Sequence, residues 1–355
     1  MLKLSFILPC YNVAPYVGRC IESIEHQDIP QSEYEVICVD DCSSDNTVEV
    51  IQDYQQHYPN IRLICHEVNK TAGGARNSGM DAASGEYLWF VDPDDAIETN
   101  IVSRLYVISN REDVDILIFN YIMGRSEGRE YKGNTITCSK KVLTGQEFFI
   151  QCYPTQRMAS NASVWNNLYR RSFCMEKCIR YPEIKSSQDV VFAWTAFLKA
   201  QRVYSIDEGA YVVYGHAEST TGSIGRYKAI NVISAPLLYV SKLMELNANV
   251  EMEQVYHDDL LFVCRESMNN DSRKVLSMVC KEQHIFYNEM QKYKDLILQF
   301  QPLMNRKTKI IFNYRLPYIL WQLIIWGYAL NYTWNRYFKR TKSDIRRMQC
   351  AVVCI

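Results

Sequence analysis

The feature that most restricts how this 355-residue chain can fold is an alternation. Through the first 120 residues, short apolar runs take turns with stretches of helical spacing. The runs "KLSFILP" (3–9), "YEVICVDD" (34–41), "IRLICHE" (61–67), "EYLWFVD" (86–92) and "DVDILIFNY" (113–121) are expected strands. Helices are expected over 15–27, 46–56 (with Asp45 as N-cap), 72–84 and 96–109. Strands separated by helices read as β-α-β units, an α/β fold with a mainly parallel central sheet. Right-handed crossovers put the strand C-termini on one edge, where open α/β sheets bind ligands.

Three polar clusters fall at those ends: "PCYN" (9–12), "DDCSSDNT" (40–47) and "DPDD" (92–95). The last is the sharpest. Like charges this close repel and raise one another's pKa unless something positive binds. A dinucleotide-binding sheet would carry G-x-G-x-x-G after its first strand, and this chain has none there. Its glycine-rich turn, "GGARNSG" (73–79), comes after the third strand.

Further on, "GRSEGREYKGN" (124–134) reads as a polar loop or hairpin. A helix starting near Asp189 is expected to bury Val190, Val191, Trp194, Phe197 and Leu198. "RVYSID" and "AYVVYGH" look like two further strands, and 225–300 reads as helical.

In this order "SFILPCYN", "VICVDDCSSDNT", "NKTAGGARNSGMDAASGEYLWFVDPDD", "VWNNLYRRSF" and "SSQDVVF" resemble family 2 glycosyltransferases of the GT-A fold, over about residues 3–220. The resemblance implies a Rossmann-related nucleotide-sugar-binding domain over 1–222, with a donor half (1–120) and an acceptor half (121–222), followed by a helical extension over 223–300. It implies an inverting, metal-dependent transferase acting on a nucleotide-sugar. The donor would be a UDP-sugar and the acceptor a hydroxyl of a glycan or lipid-linked glycan, as in surface polysaccharide assembly.

The same resemblance distributes the roles. Asp94 falls where the family holds Mn²⁺ or Mg²⁺, and Asp92 faces the sugar or ribose. A hard oxygen ligand suits either ion. Asp95 is expected to cap the following helix. Pro9, Tyr11, Asp40 and Asp41 fall on the nucleobase and ribose side. Arg76 and Asn77 match the family's A-R-N and are expected on the donor side; Arg76 either reaches the diphosphate or holds its helix on the sheet. Asp189 matches the base that takes the acceptor proton, with Gln188 where the family usually has Glu. That departure keeps open a nucleotide- or glycan-binding subunit without turnover; another nucleotide-dependent transferase on a similar sheet is the remaining alternative. His216 is a second metal-ligand candidate. Trp165 either floors the sugar or acceptor pocket or belongs to the core.

Charge divides the chain. Residues 301–355 hold ten Lys/Arg and one acid, Asp344, which leaves the first 300 residues with a net charge of −10. Within the basic segment, "LPYILWQLIIWGYAL" (316–330) is fifteen mostly apolar residues. A helix of that length covers ~22 Å, short of a ~30 Å hydrocarbon core. It reads as a basic, aromatic-rich helix on an anionic inner leaflet, or as one packed on the domain or in a homodimer. The acidic body argues against nucleic acid. The thirteen cysteines form no C-x-x-C and read as small buried thiols of a reducing compartment. "MLKLSFILPCYN" is too short in apolar residues for a signal peptide, and "CAVVCI" is no prenylation box. The expected location is cytoplasmic, peripheral on the inner face of the cell membrane.

Overall fold

The computed structural model describes residues 2–124, 131–132, 141–152, 163–183 and 188–214, with isolated positions and one short helix between 287 and 315. His216, the 223–286 part of the expected helical extension and the apolar run 316–330 lie outside the described residues. The chain divides into two compact units: Met1–Ile224 with Lys242–His257, and Gly225–Ser241 with Asp258–Ile355. In the second, the helix Lys294–Phe300 buries Ile297. Among the described residues no helix is long and apolar enough to cross a membrane.

Among the described residues the first unit is built on a nine-stranded sheet. Its strands are β1 (Leu4–Cys10), β2 (Tyr34–Asp40), β3 (Ile61–Cys65), β4 (Tyr87–Phe90), β5 (Ala96–Ile97), β6 (Ile116–Gly124), β7 (Tyr131–Lys132), β8 (Asn167–Arg170) and β9 (Val203–Tyr214). The order is β3-β2-β1-β4-β8-β6-β9-β5, with β7 on β6 as the expected hairpin. The half formed by β3, β2, β1 and β4 is parallel throughout. Past β4 the sheet is mixed, because β8 runs antiparallel to both its neighbours.

The strand alternation sorts side chains to two faces. Phe6, Leu8, Val36, Cys38 and Trp89 join one core with α1 (Ala14–Glu25), α2 (Thr47–His57) and α4 (Val102–Arg111). Ile7, Ile37, Val39, Leu88 and Phe90 join the other with α3 (Thr71–Ala82), α5 (Gly145–Cys152), α6 (Arg171–Glu176) and α7 (Gln188–Lys199). Buried on both faces, these strands read as near-continuous apolar runs. Cys10, Cys20, Cys38 and Cys174 are buried free thiols, as expected, whereas Cys42, Cys65 and Cys178 are free but exposed, a correction to that expectation.

Three further expectations are corrected. The helix expected over 96–109 begins only at Val102, because Ala96 and Ile97 pair with Val212 and Tyr211 of β9. The two strands expected over 202–216 are one, β9, which passes its polar "DEG" step by a register shift against β6 around Asn120. There Gly209 lies so close to Ile122 that an added Cβ would sit 2.8 Å from its Cγ1. Val190 is only half-buried, and Phe192, Ala193 and Ala196 fill the face of α7 instead.

Gly85 admits β4 beside β1. A Cβ there would stand 2.5 Å from the carbonyl carbon of Leu4 and 2.6 Å from the nitrogen of Ser5, both backbone. Gly85→Ala should therefore cost about 1–3 kcal/mol through overpacking, read as a lower urea midpoint. An unchanged midpoint would mean the two strands can separate without loss.

Candidate active site

The ends of β1 and β2 are tied together by side chains of their own loops. Asn12, at φ 52°, donates its N–H to Ser43 Oγ (3.0 Å) and accepts from the Ser44 N–H (2.8 Å). Asp45 reaches both helices: Oδ2 accepts from Ala14 N–H at the start of α1 (3.1 Å) and Oδ1 from Thr47 N–H at the start of α2 (3.1 Å). The N-cap position of α2 is Asn46 rather than the expected Asp45; from one residue earlier Asp45 ties down an orphan amide at the start of each helix.

Within this frame the paired aspartates differ. Asp41 Oδ1 accepts from Lys70 N–H (2.8 Å) and pairs with His66 Nδ1 (2.7 Å), whose Nε2 meets Ser78 Oγ (2.8 Å). Asp41 therefore anchors the β3–α3 connection. Asp40 is equally buried; its Oδ2 accepts from Ser43 N–H (3.2 Å), and its Oδ1 has no hydrogen-bond partner. A buried acceptor without a partner is costly unless a ligand supplies the donor. Pro9 is half-buried at the end of β1, and Tyr11 beyond it is 51% exposed, its ring open to solvent.

The acid turn follows β4 and is held from three sides. From α3, Arg76 Nη2 donates to Asp92 Oδ1 at 2.6 Å. From β9, Tyr211 Oη accepts the Asp92 N–H (3.0 Å) and donates to Asp95 Oδ2 (3.0 Å), while the Tyr214 N–H donates to Asp95 Oδ1 (2.8 Å). From α1, Arg19 donates to the Asp94 carbonyl and lays its guanidinium over the Tyr214 ring at 3.9 Å. Asp95 is consequently not the helix cap expected. It is buried, and a strand rather than a helix follows it. Burial, then the charges of Asp92 and Asp94, push its pKa up to about 8, so at neutral pH it is largely uncharged. Burial also raises the pKa of Asp92, against the pull of Arg76 and with the push of Asp94 and Asp189. For Arg76, burial alone would lower the pKa; Asp92, Tyr181 and Asp189 outweigh it and keep the guanidinium charged.

Asp189 lies in the first turn of α7, half-buried, at the helix start expected for it. Its charge is felt by Arg76, Asp92 and Tyr181, which places it in one electrostatic cluster with the acid turn. Beside it Gln188 is buried, with Oε1 unpartnered, against the backbone of Gly73. Trp165 stacks on Tyr211 (ring centroids 4.6 Å apart, 20° between planes) and meets Tyr121 edge-on (4.9 Å). It backs the tyrosine that holds the acid turn. Asn77 pairs with the main chain of Tyr181.

The structure thus brings Asp92, Asp94, Arg76 and Asp189 together, with Asp40 and Tyr11 at the neighbouring strand ends. Sequence reasoning missed Tyr211, Tyr214 and Arg19. The available signal was the tyrosines of "AYVVY", since a buried Tyr needs a partner for its hydroxyl.

Residues 5–175 match the model of "Glycosyl transferase family 2". Over that stretch the chain is similar to family 2 glycosyltransferases. EpsJ of Bacillus subtilis, described as an uncharacterized glycosyltransferase, is 32% identical over 219 residues, 61% of this chain and 62% of EpsJ. TarS of Staphylococcus aureus, a poly(ribitol-phosphate) beta-N-acetylglucosaminyltransferase, is 26% identical over 265 residues, 74% of this chain and 43% of TarS. The chain therefore spans less than two thirds of either relative. The crystal structure of TarS residues 1–349 in complex with UDP-GlcNAc superposes with a TM-score of 0.65 at 22% identity, covering 88% of this chain and 87% of that one. A mannosyltransferase of Pyrobaculum calidifontis, in complex with GDP-Man and Mn²⁺, superposes at 0.51 with 15% identity, covering 92% and 87%. The fold of this domain is of the GT-A type.

Tyr211→Phe should leave the Asp92 N–H and Asp95 Oδ2 without their shared partner. A loss of about 1–3 kcal/mol is expected from buried groups left unpaired, measured by urea unfolding. Wild-type stability in this variant would show that the tyrosine hydroxyl holds nothing.

Proposed function

We propose that this domain transfers a sugar, with inversion, from a UDP-sugar to a hydroxyl of a glycan or polyol-phosphate acceptor in surface polysaccharide assembly. The observation that carries this is the packing of the start of α7, which bears Asp189, against Gly73 of α3, one turn before the Arg76 that grips Asp92 of the acid turn. One part of that arrangement suits the donor, the other a base.

On the donor side, Asp40 Oδ1 is a buried acceptor in need of an N–H, which the N3–H of uracil would satisfy. Tyr11 offers a ring face beside it. TarS, with UDP-GlcNAc in its crystal structure, lends the same donor class. The fit of a cation is read from charge: Asp92 and Asp94 are two acids in one short turn, with the Arg76 guanidinium bonded to Asp92. Asp94 would hold Mg²⁺ or Mn²⁺, whose charge offsets the one growing on the leaving diphosphate. Among the described residues no three ligating side chains form a cage of their own, and a site of one or two carboxylates completed by substrate phosphates is one Mg²⁺ accepts. Asp92, locked by Arg76, faces the sugar.

On the acceptor side, Asp189 takes the proton of the attacking hydroxyl as its oxygen bonds to the anomeric carbon from the face opposite the leaving group. An aspartate suffices for this; the neighbouring Gln188 removes a charge beside it and leaves the base in place. The basic, aromatic-rich 301–355 segment is the part of the chain suited to an anionic membrane surface carrying a lipid-linked acceptor.

Asp189→Asn keeps the shape of α7 and removes the base. It should bind UDP as the wild type does in calorimetry, and lose at least about 100-fold in turnover with UDP-GlcNAc, UDP-glucose and UDP-galactose. Turnover at the wild-type rate would remove Asp189 from the mechanism. In a separate test, deletion of 301–355 should release the protein from phosphatidylserine vesicles; retention would place membrane binding elsewhere.

A further inference from the structure

Asn77 occupies the A-R-N position from which a donor contact was expected, yet both ends of its amide are spent on protein. Its Nδ2 donates to the Tyr181 carbonyl (2.9 Å), and its Oδ1 accepts from the Tyr181 N–H (3.0 Å). This two-bond ring satisfies the whole main-chain polarity of a residue 104 positions away and outside any helix or strand. A side-chain amide carries a donor and an acceptor on one plane, which suits it to this pairing.

What Tyr181 holds explains the importance of the pairing. Its ring stacks on Phe192 of α7 (4.1 Å between centroids, 10° between planes) and meets Phe90 of β4 edge-on (5.3 Å). Arg76 lies over the same ring at 5.4 Å. One turn earlier on α3, an added Cβ at Gly73 would come within 3.2 Å of Tyr181 Cβ and 3.0 Å of Gln188 Cγ. Residues 73, 76 and 77 share one face of a helix at i, i+3 and i+4 spacing. That face sends Arg76 to Asp92, Asn77 to Tyr181, and the bare backbone of Gly73 to the start of α7.

We infer that Asn77 is a positioning residue of the transfer reaction: by pinning Tyr181 it fixes where α7 presents Asp189 relative to Asp92, and it does not touch the donor. The inference rests on the proposed role of Asp189 as base. One helix then spaces the two halves of the chemistry, with Arg76 gripping the donor end and Asn77 the acceptor end. A shift of about 1 Å in a reacting group can cost about 100-fold in rate, so a helix that sets this spacing governs turnover rather than donor affinity.

The test compares Asn77→Ala with wild type in two readings: UDP affinity with Mn²⁺ by calorimetry, and kcat and donor KM from UDP release with UDP-GlcNAc, UDP-glucose and UDP-galactose. The expected result is a fall in kcat of about 10- to 100-fold, with UDP affinity and donor KM within about threefold of wild type. If Asn77→Ala does not fold, the isosteric Asn77→Asp, which sets a carboxylate against the Tyr181 carbonyl, is read by the same criteria. A loss of UDP affinity matching the loss of kcat would make Asn77 a donor ligand and overturn the inference. Wild-type kcat would overturn it as well. Asp189→Asn in the same assay separates the two failures. If Asp189→Asn turns over normally, the base is misassigned and this inference falls with it. If Asp189→Asn is inactive while Asn77→Ala is normal, only the role of Asn77 falls.

Discussion

The ion pair between Arg76 and Asp92, 2.6 Å long and mostly shielded from solvent, is the constraint around which this site is arranged. Removing one partner of such a pair leaves an uncompensated charge in a poorly solvated place. The pair requires α3 to lie close against the sheet. Gly79 permits it: an added Cβ there would fall 2.4 Å from Cγ2 of Ile7 in β1. It also requires the end of β4 to be held still, which Tyr211, Tyr214 and Arg19 do from β9 and α1.

From that arrangement the three aspartates after β4 receive different duties. Asp95 is enclosed by two donors from β9 and is largely uncharged at neutral pH. Asp92 is matched by a guanidinium. Asp94 gives its carbonyl to Arg19 and stays half-buried at the surface of the turn. A cluster that looks like triple repulsion in the sequence is therefore graded, and Asp94 is the residue proposed to meet a cation together with the phosphates of a donor. The cost of gathering acids at one strand end is offset by interactions drawn from α1, α3 and β9.

The parallel half of the sheet was legible because β1, β2 and β4 are buried on both faces and its strands are separated by amphipathic helices, so each signal is local. The strand-end clusters were legible for the same reason: Asp40 and Asp92 each follow an apolar run directly, with Asp94 two residues further on. What was not legible depends on partners far along the chain. Ala96 and Ile97 sit in a helix-like pattern, but strand pairing with β9 overrides it. Asp95 looks like a cap until Tyr211 and Tyr214 arrive more than a hundred residues later. Asn77 carries a recognisable motif, whereas its partner is the main chain of Tyr181, and a backbone contact leaves no trace in residue types. The continuity of β9 was hidden by Asp207, Glu208 and Gly209, turn-like residues absorbed by a register shift.

The central claim is that the acid turn binds a nucleotide diphosphate through a cation held at Asp94. Calorimetry of UDP binding to the full chain tests it most directly, with Mn²⁺, with EDTA, and with the Asp94→Ala variant. The account predicts that EDTA and Asp94→Ala each weaken UDP binding by at least about tenfold, a loss of about 1.4 kcal/mol. UDP affinity that is the same in all three conditions would contradict it.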